Sequence, residues 1–232
     1  MFLKFKLISP SAILLALTFL HPAFAGAETR GGECGKRMDF SSAIDSLVAD
    51  MVKRLPSLGH VDPSQVLFIA ADARHSSRAT LRPTRFPDGK RTNGSGTYVK
   101  PKISWKGKDI KYMIELRPKF FRDSTEKERI ATIIHELLHM STDFDGTIPS
   151  SKSHRNPAAD DISEQSSILA GEYMSSAPAG IIKPMGMNGE VMMRQWLERP
   201  PFRIKTPVGV KKTNYNERDV FTGPMIIITG NP

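Results

Sequence analysis

Between Asp123 and Met140 the sequence writes a well-marked helix, and on one flank of it His135-Glu136-Leu137-Leu138-His139 sets two imidazoles four residues apart. Asp123 with Glu126, or Thr125 with Glu128, supplies a capping box, and acidic residues in the first turn suit the helix dipole. Ile130, Ile133, Ile134, Leu137 and Leu138 then recur at helical spacing and form a core-facing stripe. The helix is expected over about residues 124–140. Histidines at i and i+4 share a face one turn apart, so both can reach one metal ion. The Glu beside the first His points at the open coordination position, where it can act as a base on water. His135 and His139 are therefore candidate ligands of one zinc per chain, and Glu136 is the candidate catalytic base.

Residues 1–25 read as a signal peptide. Lys4 and Lys6 form a basic start, an apolar run follows to Leu20, and Ala23-Phe24-Ala25 is a small-x-small cleavage signal. The run is too short and too interrupted for a membrane anchor, and no later segment has the length to span one. Residues 26–37 read as a flexible leader and 38–232 as one domain. The expected location is secreted or periplasmic.

The net charge of +9 falls by two, to +7, once Lys4 and Lys6 are removed. The remaining basic residues are scattered, with no basic helix and no known nucleic-acid-binding pattern, so no nucleic-acid partner is expected. Cys34 is the only cysteine, so an internal disulfide is excluded.

Helical spacing recurs from Asp39 to Leu55, with Asp39 or Ser41 as cap and Pro56 as terminator. Val66 to Ala70 reads as a buried strand, and a short strand is expected near Ala79 to Arg82. Tyr98 to Trp105 and Asp109 to Leu116 read as a hairpin, the second strand half-buried through Ile110, Tyr112, Ile114 and Leu116. Asn156-Pro157 opens a helix running to about Ser175, Val191 to Leu197 reads as a short helix, and Pro224 to Thr229 as a strand. This order predicts an α+β fold with a small, mostly antiparallel sheet and a β-rich C-terminal extension.

A catalytic zinc takes a third protein ligand and keeps a fourth position for water. Asp145 stands where metzincin-type sites place theirs, but Thr142 occupies the position of their turning Gly. Glu164 sits on the following helix, as in gluzincin-type sites. Asp161 could orient a ligand from behind, and His154 follows a polar loop. Tyr112, Tyr173 and Arg155 are candidate donors to an oxyanion, whereas His60 and His75 read as surface residues.

The motif helix, the Phe144-Asp145-Gly146 turn and His154 ahead of a new helix resemble the phage-type metallopeptidases, a zincin group. The segments 111–116 and 74–79 look similar as well, and the resemblance spans roughly residues 60–175. The signal peptide, a longer loop at Ser150 to Ser153 and the C-terminal extension depart from it. The resemblance implies a zincin-like fold with the sheet packed on the HExxH helix. It also favours His154 as third ligand over Glu164 and Asp145, and makes the strand ending at Leu116 an edge that binds extended peptide. The function expected is a zinc peptidase acting on peptide or protein. A zinc amidase acting on cell-wall peptides and a non-catalytic zinc-binding module are the alternatives.

Overall fold

The computed structural model describes residues 36–71, 77–153, 159–192, 200–206, 212–219 and 223–229. The expected signal peptide, Cys34, His75, His154, Arg155 and Asn156-Pro157 lie outside them. The chain begins with β1 (Arg37–Asp39) and α1 (Phe40–Arg54), then β2 (Val66–Ala70) and β3 (Ala79–Pro83). Four further strands follow: β4 (Tyr98–Val99), β5 (Lys102–Trp105), β6 (Lys108–Asp109) and β7 (Tyr112–Leu116). Helices α2 (Pro118–Arg122), α3 (Glu126–Leu138), α4 (Ala159–Ser176) and α5 (Ala179–Ile182) come next. The chain closes with β8 (Glu190–Met192), β9 (Ile204–Lys205), β10 (Asn214–Tyr215) and β11 (Ile226–Ile228).

The α+β class is as expected, and antiparallel pairs predominate, but among the described residues the strands fall into four small sheets in place of one. The sheet that carries the site has the order β2-β7-β3. β7 runs parallel to β2 and antiparallel to β3. This corrects two expectations. β7 is the central strand, so the edges of this sheet are β2 and β3. β7 is also buried throughout, because both faces of its sheet are covered. Tyr112, Ile114, Leu116 and Leu81 join the main core with α1 and α3. Met113, Leu67 and Ile69 meet Ile103, Ile110 and Tyr215 in a second cluster on the other face. Glu115, in that second face, is held by Arg82 at 2.8 Å.

The expected long hairpin survives only where β5 pairs β6 across Lys106-Gly107, both at positive φ (48° and 72°). β4 instead pairs β9. Helix α1 is capped by Asp39, whose carboxylate accepts from the Ser42 amide, and its apolar face is buried through Phe40, Ile44, Leu47, Val48 and Met51. Phe40 packs edge-on to Phe120 and Phe121 of α2, a helix the sequence reading did not anticipate. Residues 190–192 are strand where a helix was expected, and 193–199 lie outside the described residues. Arg37, expected in the leader, instead opens β1 and pairs with Ile228. Among the described residues no helix is long and apolar enough to cross a membrane.

Candidate metal centre

Helix α3 is built by local signals that agree with one another. Of the two capping boxes the sequence offers, Thr125 with Glu128 forms: the Thr125 hydroxyl accepts from the Glu128 amide, and Glu128 accepts from the Thr125 amide at 2.8 Å. Ile130, Ile133, Ile134 and Leu137 are fully buried. Burying this stripe fixes the rotation of the helix, and so fixes where the other residues point. Arg129 is also fully buried. It donates to the carbonyls of Phe120, Phe121, Met185 and Met187 and to Asn188 Oδ1, at 2.6–2.9 Å. That hub ties α3 to α2 and to the chain after α5. A charged side chain beside an apolar stripe gave no sequence-level sign of it.

At the other end of α3 the two histidines converge. His135 Nε2 and His139 Nε2 are 3.0 Å apart, with ring centroids 4.6 Å apart. His139 Nδ1 lies against the Lys152 carbonyl, which can only accept, so Nδ1 carries the proton. Nε2 of His139 is then the unprotonated nitrogen, turned toward His135, which is the tautomer a metal ligand needs. Two imidazole nitrogens brought this close on one helix face are of the donor type that could hold a metal ion.

Glu136 is 4 % exposed and lies against β3. Burial pushes its carboxyl up to about 7, against the opposing pull of the Leu81 backbone amide and the Arg117 guanidinium. A carboxyl poised near neutrality is suited to taking up and returning a proton. Neither the Leu81 amide nor the Lys152 carbonyl could be foreseen, since backbone groups leave no side-chain signature.

The loop after the helix is stapled from the sheet. The Tyr112 hydroxyl donates to the Thr147 carbonyl at 2.8 Å and accepts from the amides of Gly146 (3.1 Å) and Ser141 (3.3 Å). Burial raises its pKa to about 12. Phe144 takes a positive φ of 47° and packs on the Tyr112 ring at 5.2 Å. Gly146 has φ 90°, and a Cβ there would stand 3.1 Å from Thr84 Oγ1, so the turn needs glycine for both conformation and space. Tyr112 is thus a structural post, not an oxyanion donor. The same holds for Tyr173, whose hydroxyl donates to Asp50 at 2.8 Å.

The third-ligand candidates separate by placement. Asp145 accepts from the Thr147 amide and hydroxyl at 3.0 and 2.8 Å and is committed to the turn. Glu164 and Asp161 are exposed on α4, whose buried face carries Ile162, Ser166, Ala170 and Tyr173. His60, expected at the surface, is half-buried, and its Nε2 is sealed with no hydrogen-bond partner among the described residues. Among the described residues no three of His, Cys, Asp and Glu are grouped to hold a metal.

No curated protein and no solved structure matches the chain. The family described as Putative phage metallopeptidase has a model that matches residues 38–160, from β1 into the start of α4. That span is more than half of the 232 residues and contains the paired histidines, Glu136 and the stapled loop, so the chain belongs to this metallopeptidase family.

Proposed function

We propose that the protein is an exported zinc peptidase with a zincin-like site. The observation that carries this reading is the convergence of His135 and His139 at 3.0 Å, one residue from a buried Glu136 that lies against the edge strand β3. His135 and His139 would hold one zinc per chain. His154 is proposed as the third ligand, a reading supported by the outward position of Glu164 and the commitment of Asp145 to its turn. A bound zinc would polarise the scissile carbonyl and acidify water.

The protein's own residues do the rest. Glu136 takes the proton from the attacking water and returns it to the leaving amine. The Lys152 carbonyl keeps His139 in its binding tautomer. β3 pairs only with β7 among the described strands, and its other edge can take an extended peptide by strand addition. Export by way of residues 1–25 belongs to the same proposal.

The test is Glu136→Gln, which keeps shape and loses basicity. Peptide hydrolysis is expected to fall about a hundred-fold or more while native mass spectrometry still finds one zinc per chain. Hydrolysis at the wild-type rate, or a protein that takes up no zinc at neutral pH, overturns the reading. Zinc affinity of His154→Ala against Glu164→Ala assigns the third ligand.

A further inference from the structure

A second feature of the molecule is a pocket of about 830 Å³ between the end of β3 and the loop that follows α3. Its walls include Arg85, Phe86, Lys100, Ser150, Ser153 and Arg203. The loop is shared with the metal centre: Ser153 adjoins Lys152, whose carbonyl holds His139, and the Arg85 amide donates to the Gly146 carbonyl at 2.9 Å.

The charge of the pocket is one-sided. No Asp or Glu is among its described lining residues. Lys100 is only 3 % exposed, and its ammonium sits 3.4 Å from the centre of the Phe202 ring and 5.3 Å from that of Phe86, with no carboxylate or carbonyl to receive it among the described residues. Burial, together with the positive charges of Arg82 and Arg203, pushes its pKa down to about 8. Arg85 donates to the Gly89 carbonyl at 3.2 Å, and Arg203 lies over the Tyr98 ring at 4.2 Å. Nearby Arg82, by contrast, has its counter-ion in Glu115. Burying an ammonium without an anion is costly, and aromatic faces offset only part of that cost. Three cations around one cavity are best satisfied by an incoming carboxylate, which Arg and Lys bind with charge-assisted hydrogen bonds.

We propose that this pocket is a substrate subsite that takes a carboxylate of the bound peptide, with Lys100, Arg85 and Arg203 as its cations. The proposal rests on the peptidase reading above. A peptide lying along the open edge of β3 would pass Pro83, which lines the pocket, and deliver its side chain or its C-terminus there.

Three acetylated peptides of one sequence test it: an internal Glu with an amidated C-terminus, the Gln counterpart amidated, and the Gln counterpart with a free C-terminal carboxylate. Their binding to zinc-loaded, full-length Glu136→Gln protein is read by fluorescence polarisation at low salt. At least one carboxylate-bearing peptide should bind about ten-fold or more tightly than the amidated Gln peptide, as expected for charge-assisted hydrogen bonds. Which one it is distinguishes side chain from C-terminus. The preference should fall to near parity with Lys100→Met and several-fold with Arg203→Gln, an exposed position where folding is not at stake. Equal binding of all three peptides overturns the subsite. Discrimination by a protein whose wild-type form cleaves nothing overturns the peptidase reading alone, and cleavage without discrimination overturns the subsite alone.

Discussion

The two halves of α3 bury charge in opposite ways. Near its start Arg129 is fully enclosed, and five acceptors surround its guanidinium. Near its end Glu136 is nearly as enclosed but has one backbone amide and one distant guanidinium for company, and its carboxyl is left near neutrality. The same helix and the same core produce both. A buried charge with every donor satisfied locks elements together. A buried charge left short of partners is a reservoir of reactivity. Lys100 belongs with Glu136 in this respect, and both border the loop or strand where substrate is proposed to lie.

That contrast can be broken at three points. The largest stability effect is expected for Arg129→Met, which orphans four backbone carbonyls and an amide oxygen. It should cost about 3–5 kcal/mol in denaturant unfolding, the range for breaking a buried charged network. A loss below about 1 kcal/mol would mean the hub is dispensable.

Next comes Glu136→Gln in the metal-free protein. The folded carboxyl titrates near 7 against an ordinary 4.5, so ionisation opposes folding. The penalty is absent below the ordinary value, grows between 4.5 and 7, and is complete above 7. The Gln variant should therefore be more stable than wild type at pH 8, by up to about 3 kcal/mol, and equal to it at pH 4. Thermal melts across that range read the difference, and a gap that persists at pH 4 would assign it to packing. The smallest effect is Tyr112→Phe, which frees the loop from its post. It should cost about 1–2 kcal/mol of stability and weaken zinc binding about ten-fold through His139, as for loss of an orienting partner. Unchanged zinc affinity would show that the Lys152 carbonyl is held without Tyr112.

What was legible in the sequence divides along the same line. α1 and α3 were readable because cap, apolar period and terminator are all written within one helix: Asp39 and Thr125 cap as expected, and the stripe from Ile130 to Leu137 is buried. The pairing of His135 with His139 follows from helical geometry alone. Strand order was not readable, since β7 carries the same alternation whether it is an edge or a centre. Only its partners β2 and β3, distant in sequence, decide which it is. The partners of Tyr112 and Tyr173 were unreadable for a related reason: a hydroxyl shows no sign in sequence of the backbone or carboxylate that will claim it. The burial of Lys100 and Arg129 was not readable, because burial of a cation depends on contacts made by residues far along the chain, such as Phe202 and Met185.

The pairing of β1 with β11 carries a consequence for how the molecule is assembled. The Phe40 amide, first in α1, donates to the Met225 carbonyl at 2.8 Å, and the Met225 amide returns a bond to Ser41 Oγ at 2.8 Å. The foundation of α1 is thus laid by residues 184 positions further along the chain. Closing so long a loop is entropically expensive and slow compared with forming α3. A nascent chain can cap and coil its helices as they emerge, yet α1 cannot settle until β11 has arrived. A fragment cut to residues 38–160 would keep the histidines and lose the strand that seats the first helix.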